Sequence, residues 1–420
     1  MPDGRRTRSR TGCTQCVRVS VKCNEGRPMC ERCVRLGFAC DYSMRIIWKP
    51  HNPSEKVVLP KHPIASSDSG VCVCPGRLTG TQLYDLFVTS GNRLLHWTKS
   101  SKVDINGKIE QLYRQSPAVR CNIEALMSLS NECCRLSSLT RIDLAIAQTK
   151  NVFSLDSSLV DQDVMATSMV ILSQVAMRAG YTWTHHIAGI LPLAVRLFSN
   201  TTGSTAGVSH SLLEILGGLD MDAWIVGRRT EPLHVWATWC MGRRGVEPIT
   251  GLPRYLLDLI ARVSRNEDVS TELRDFIAFL TLPERQSYQV SLWHCFAVTA
   301  LLQLQCRVGP VCGVGVPVLT TQLLELLRLL HAALTPEDNY HVLAWPAFTL
   351  GIHVQDDSFG AMTVASEILS LVFSRPDQGW RRPEGSIGAL MNRFWEERGR
   401  IGREPAHDNL QSGAVEIGLW

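Results

Sequence analysis

Cys13-Thr14-Gln15-Cys16, Cys23, Cys30-Glu31-Arg32-Cys33 and Cys40 place six cysteines in 28 residues, with gaps of two, six, six, two and six. Two cysteines with two residues between them can turn back and grip one zinc ion at about 2.3 Å per sulfur. Without sharing, six thiolates fill only one and a half tetrahedral sites. They serve two zinc ions only where two sulfurs bridge both metals. The count alone also fits a disulfide scaffold. Against that, Arg5-Arg6-Thr7-Arg8-Ser9-Arg10 is basic and no apolar segment follows it, so no secretory signal is expected. The other nine cysteines are scattered through apolar segments, as in a chain kept reduced inside the cell. The spacing therefore points to a metal cluster.

Charge points the same way. The chain has 420 residues and a formal net charge of +4, which hides an asymmetry. Residues 1–50 hold eleven Lys and Arg against four Asp and Glu, whereas the remaining 370 residues hold 32 against 35. Basic charge gathered beside a metal-stapled module is the footprint expected for nucleic acid. Residues 1–12 then read as a basic arm, suited to phosphate contacts or nuclear import.

The cysteine stretch resembles the zinc binuclear cluster of fungal transcription factors, whose spacing it matches throughout. That resemblance implies two zinc ions per chain. Cys13 and Cys30 would bridge them, Cys16 and Cys23 would complete one site, and Cys33 and Cys40 the other. Pro28 stands where the family has a proline in the loop between its two halves. Short helices are expected over Thr14–Val21 and Glu31–Gly37. In the family the first presents basic residues to the major groove of double-stranded DNA, so with the basic arm and the position before the third cysteine the expected DNA contacts are Arg8, Arg10, Arg18, Ser20 and Lys22. The implied activity is that of a nuclear, sequence-specific regulator of RNA polymerase II genes.

One departure stands out within the match. Between the second and third cysteines the family usually runs Arg, any, Arg or Lys, Lys, any, Lys. Here the six residues are Val17-Arg18-Val19-Ser20-Val21-Lys22, and only Lys22 is in place. Val19 and Ser20 occupy the positions that reach the guanines of a CGG half-site. Valine has no donor for guanine O6 or N7, and serine offers one donor on a short side chain. The alternative reading is a regulator that reads DNA poorly and works through protein partners.

Downstream, Asp41–Trp48 resembles the segment that follows the cluster in one subgroup of the family. Residues 46–80, rich in Pro, Ser and Gly from residue 49 on, read as a linker with no heptads. A family-style coiled-coil dimer is therefore not expected, which leaves protein partners or a homodimer built another way. From residue 81 to 401 the apolar period is helical and strand alternation is almost absent, so the fold class is all-α. Expected helices include Gln82–Leu95, Ala118–Leu136, Ser211–Gly217, Tyr255–Ser264, Arg285–Arg307 and Ile387–Arg398. Leu212–Gly217, Ile225–Thr230, Gly245–Asp258 and Trp345–Gly351 resemble the helical regulatory domain of the same factors.

The full reading is a basic arm at 1–12, a cluster at 13–45, a linker at 46–80, a helical regulatory domain at 81–401 and a frayed polar tail at 402–420. Residues 290–306 carry no Lys, Arg, Asp or Glu but include His294, Gln303 and Gln305, so a buried core helix is expected there rather than a membrane span. No enzymatic constellation emerges. His185 and His186 are adjacent and would point about 100° apart on a helix. Asp356-Asp357 reads as a break between helices, Cys133-Cys134 as core residues, and Cys72 and Cys74 lack a partner pair at metal spacing. Residues 311–318 have no physical explanation in the sequence.

Overall fold

Thr79-Gly80-Thr81-Gln82 shows how the helices begin. The Gln82 N–H donates to Thr79 Oγ1 at 3.3 Å, and the Thr79 N–H donates back to Gln82 Oε1 at 2.8 Å. This reciprocal capping box satisfies two donors that an open helix end would leave unpaired. The helix it starts therefore runs over Gly80–Thr89, two residues ahead of the apolar period.

The computed structural model describes residues 13, 15, 16, 21–24, 29–36 and 38, then 78–89, 105–129, 135–154, 162–179, 182–189, 191, 195, 206–281, 287–308, 315–334, 340–354, 359–374, 387–402, 406, 407, 409, 410 and 416–419. The chain separates between Val71 and Cys72 into two units. The first contains one described helix, α1 (Glu31–Leu36). The second is almost wholly helical: α2 (Gly80–Thr89), α3 (Ile105–Gln115), α4 (Pro117–Leu129), α5 (Arg135–Ser154), α6 (Gln162–Ala179), α7 (Ala206–Leu219), α8 (Arg254–Ser264), α9 (Ser270–Leu280), α10 (Tyr288–Val308), α11 (Val316–Ala333), α12 (Ala344–His353), α13 (Phe359–Ser374) and α14 (Ile387–Ile401). The protein is all-α.

Two apolar cores lie in this second unit. Helices α2 to α6 surround the smaller one, built on Leu83, Phe87, Leu112, Ile123, Leu126 and Ile142. Helices α7 to α14 surround the larger, with α6 joining both: Ile171 and Val175 enter the first, Met169 and Ala176 the second. The sequence dictates these faces. In α11, Pro317 sits in the first turn, where its missing N–H costs nothing, and Leu319, Leu323, Leu327 and Leu330 form one buried stripe. Helix α12 is apolar all round and all ten of its residues are buried, so it threads the middle of the larger core. There Trp345 packs edge-on against Trp224 and tilted against Phe296. The charge-free segment 290–306 lies in α10, with Leu292, Phe296, Leu301 and Leu304 buried in that core. Among the described residues no helix is long and apolar enough to cross a membrane.

Two expectations need correction. Ala118–Leu136 is not one helix: α4 ends at Leu129 and α5 starts at Arg135. The described residues of the expected tail are packed rather than frayed. Ala406 and Leu410 are buried, and Ile417–Gly418 forms strand β2, antiparallel to β1 (Ile225–Val226). The period of two is too short there to register in a sequence scan. Residues 311–314, and residues 46–77 of the expected linker, lie outside the described residues.

Gly217, in the last turn of α7, marks a close approach. A Cβ there would stand 3.1 Å from the Trp236 backbone N, Cα and ring, at the start of a π-turn over Trp236–Cys240. Gly217→Ala gains about 0.5–1 kcal/mol of helix preference but overpacks against backbone, which costs about 1–3 kcal/mol. A net loss is expected in chemical denaturation. Gly218→Ala is the control: its Cβ meets nothing within 4 Å, so it should stabilise. Equal behaviour of the two variants would show that the π-turn yields freely.

Candidate metal centre

In the first unit every buried side chain among the described residues is a cysteine: Cys13, Cys16, Cys23, Cys30 and Cys33, none more than 3% exposed. The large apolar residues around them face solvent, with Val34 at 60% and Leu36 and Phe38 at 45% exposed. A module that buries sulfur and exposes its hydrophobes has no apolar core to fold around. Covalent or metal links must hold it.

The sulfur geometry decides between those links. The Sγ atoms of Cys13, Cys16, Cys23 and Cys30 all lie within 4.8 Å of one another. Cys13 Sγ is 3.7 Å from Cys30 Sγ and 3.6 Å from Cys33 Sγ, and Cys16 Sγ is 3.8 Å from Cys30 Sγ. A disulfide needs about 2.05 Å. The edge of a tetrahedron with zinc–sulfur bonds of about 2.3 Å is about 3.8 Å. The donors present therefore fit zinc. Cys40 and Pro28 lie outside the described residues.

The backbone prepares this arrangement twice. Cys33 N–H donates to Cys30 Sγ at 3.4 Å and Cys13 N–H to Cys23 Sγ at 3.5 Å. Val21 N–H closes onto the Cys16 carbonyl at 3.0 Å, and Phe38 N–H onto the Cys33 carbonyl at 3.0 Å. Each bond spans five residues, and the two are seventeen positions apart, as Cys13 is from Cys30. The six-to-one closure is the Schellman bond that ends a helix. One feature carried no sequence signal: the Asn24 side chain accepts from the Glu31 N–H at 3.1 Å, capping α1 from seven residues upstream. Without a cation the sulfurs obstruct each other. The Cys33 N–H above all holds the Cys30 thiol down, to about 6. Burial, then the neighbouring thiols, pushes Cys16 up to about 12. A divalent cation removes this conflict because it stabilises all the thiolates together.

Of the expected DNA contacts, Lys22 is described and exposed, just before Cys23. Arg8, Arg10, Arg18 and Ser20 lie outside the described residues, as do Val17 and Val19. Of the expected first helix, Thr14–Val21, only residues 15 and 16 are described as helical; the second, Glu31–Gly37, is α1, ending at Leu36.

No second metal cluster stands out among the described residues. His185 is exposed and His186 half-buried; burial first, and then His185, lowers the pKa of His186. Cys72, Cys74, Cys133, Cys134, Asp356 and Asp357 lie outside the described residues.

No curated protein and no solved structure matches this chain. Residues 11–49 match the model of the fungal Zn(2)-Cys(6) binuclear cluster domain. The matched segment contains all six cysteines of the repeated spacing, among them the five buried thiols of the first unit. The chain thus carries a fungal zinc binuclear cluster, the zinc-binding and DNA-binding domain of a family of transcription factors.

Proposed function

We propose that this protein is a nuclear regulator of RNA polymerase II genes. Its cluster holds two zinc ions, with Cys13 and Cys30 shared, Cys16 and Cys23 completing one site, and Cys33 and Cys40 the other. The observation that carries this reading is the packing of four thiols within 4.8 Å inside a segment matching the cluster domain. The basic arm, with Arg8 and Arg10, and the first helical segment, with Arg18, Ser20 and Lys22, face DNA. The helical second unit serves as a regulatory and effector domain. It contains buried polar networks: Glu214 takes Arg243 and Arg254, Asp220 takes Arg228, and Asp258 takes Trp236 Nε1. Such networks fix loops between helices and suit a domain that transmits contacts.

A second reading has a specific motive in Val19 and Ser20. Where long cations would span the groove, these side chains leave guanine unread. Losing one good base contact costs about 1–3 kcal/mol of discrimination. Targeting then rests on a protein partner. Selection of bound sequences from random duplex DNA by the zinc-loaded protein separates the two. A defined enriched half-site supports direct reading; no enrichment with intact metal supports the partner-dependent regulator. The double change Val19→Arg with Ser20→Lys is expected to raise preference for CGG over scrambled duplex by roughly tenfold or more. Tight CGG binding by the unmodified chain, with no gain from the double change, would mean that Arg18 or the backbone reads the bases.

A further inference from the structure

Glu416 is only 2% exposed, and it is buried by residues far away in the chain. Its Oε1 accepts from the Trp183 N–H at 3.0 Å and the Thr184 N–H at 2.8 Å. Its Oε2 accepts from the Thr184 hydroxyl at 2.7 Å and the Arg229 N–H at 3.1 Å. Four donors converge on one carboxylate, three of them backbone groups that cannot move away. Beyond it the backbone continues as a strand. Ile417 pairs with Val226, Gly418 with Ile225, and the Leu419 N–H donates to the Trp224 carbonyl at 2.8 Å. Ile417 and Leu419, two apart and so on one face of the strand, are 4% and 2% exposed in the larger core.

This is the chemistry by which proteins bind extended peptides. Main-chain bonds to an open edge supply affinity, pockets for alternate side chains supply specificity, and a built anion receptor sets the register. Here the peptide is the chain's own segment. We propose that the cleft between residues 183–184 and β1 is a peptide-binding site whose resident occupant, residues 416–419, is a displaceable strap. The competing ligand is an extended segment of the same chemistry: a carboxylate side chain, then an apolar, a small and an apolar residue. Displacement opens an edge and a carboxylate receptor through a local opening of the kind proteins make below the free energy of global unfolding.

The test uses the full chain, a chain stopping at residue 415, and a fluorescent synthetic peptide of residues 411–420. The shortened chain should bind the peptide saturably. The full chain should bind it at least tenfold more weakly, because the tethered strap competes at an effective concentration on the order of millimolar. A peptide carrying Glu416→Ala should bind the shortened chain at least tenfold more weakly than the native peptide, since it loses hydrogen bonds to a charged acceptor. A folded shortened chain that ignores the native peptide would overturn the proposal. Hydrogen exchange on full-length Glu416→Ala covers the case in which the shortened chain does not fold. Faster exchange at the amides of Trp183, Thr184, Arg229 and Leu419, with α10 unchanged, supports a displaceable strap. Uniformly faster exchange through α10 would overturn it, because the segment would then open only with the whole unit.

Discussion

Cys30→Ala is expected to strip all zinc from the cluster and to reduce sequence-specific DNA binding to background. Cys30 Sγ stands 3.7 Å from Cys13 and 3.8 Å from Cys16, and it receives the Cys33 N–H. In the proposed arrangement it is a ligand to both ions, so one substitution opens both sites. The consequence is large because the described residues of the module offer no apolar core in its place. Its buried described side chains are all cysteines, and structural zinc in small domains supplies about 10–16 kcal/mol of apparent binding energy. Cys16→Ala should behave differently, losing mainly the ion held with Cys13, Cys23 and Cys30. Elemental analysis of both purified variants, beside the unmodified chain at two zinc ions, distinguishes these outcomes. One zinc retained by Cys30→Ala would rule out its bridging role. Acid should release the metal in the unmodified chain, since protons compete for the thiolates.

The metal centre was legible because its spacing is itself the chemistry. A pair of cysteines two apart, repeated seventeen positions on, has few uses besides metal, and the structure puts Cys13, Cys16, Cys23 and Cys30 together. Helices with continuous apolar stripes, such as α8 and α11, were legible for a similar reason. Others were not. In α5 the buried positions among the described side chains are Ser138, Ile142, Ala145 and Thr149, so polar residues interrupt the inward stripe and blur its period. Their polar atoms are satisfied locally: Ser138 donates to the Ser128 carbonyl, and Thr149 accepts from Asn122. Helix α3 opens at Ile105 and closes at Gln115, and among its described side chains only Ile109 and Leu112 are buried hydrophobics, too few to stand out. The Glu416 receptor was invisible because its donors lie 187 to 233 residues away. Backbone N–H groups carry no sequence signature, and a two-residue strand has no period to detect.

Glu214→Ala should be strongly destabilising to the helical unit. Glu214 is 6% exposed and receives Arg254 at both oxygens, Nε at 2.7 Å and Nη2 at 3.0 Å, as well as Arg243 at 3.1 Å. Arg254 then reaches the Val246 carbonyl at 2.8 Å and the Arg244 carbonyl at 3.2 Å. One carboxylate therefore ties α7 to α8 and to the loop before it. Removing it leaves two guanidinium groups facing each other in a partly dry site, which costs about 3–5 kcal/mol for a buried pair. The low end applies, because Arg243 and Arg254 are 21% and 18% exposed and water reaches them. By contrast, Arg262 pairs with Glu267 and Glu272, which are more than a third exposed, so Arg262→Ala should cost less than about 1 kcal/mol. Denaturant titration of both variants measures the contrast, and near-equal losses would show that Glu214 acts as a surface pair. The pH dependence gives an independent check. Burial raises the Glu214 pKa, but the hydrogen bonds and charges of Arg254 and Arg243 outweigh it and the net shift is downward. A depressed carboxylate contributes stability that is present above its unfolded value of about 4.3 and is lost as pH falls through the folded one. Glu247 and Asp258 are shifted upward by burial and act in the opposite sense. The comparison that isolates Glu214 is therefore the unmodified chain against Glu214→Gln: the stability difference between them should be constant near neutrality and shrink below about pH 4. A difference that persists unchanged into acid would mean that the carboxylate charge does not hold Arg254.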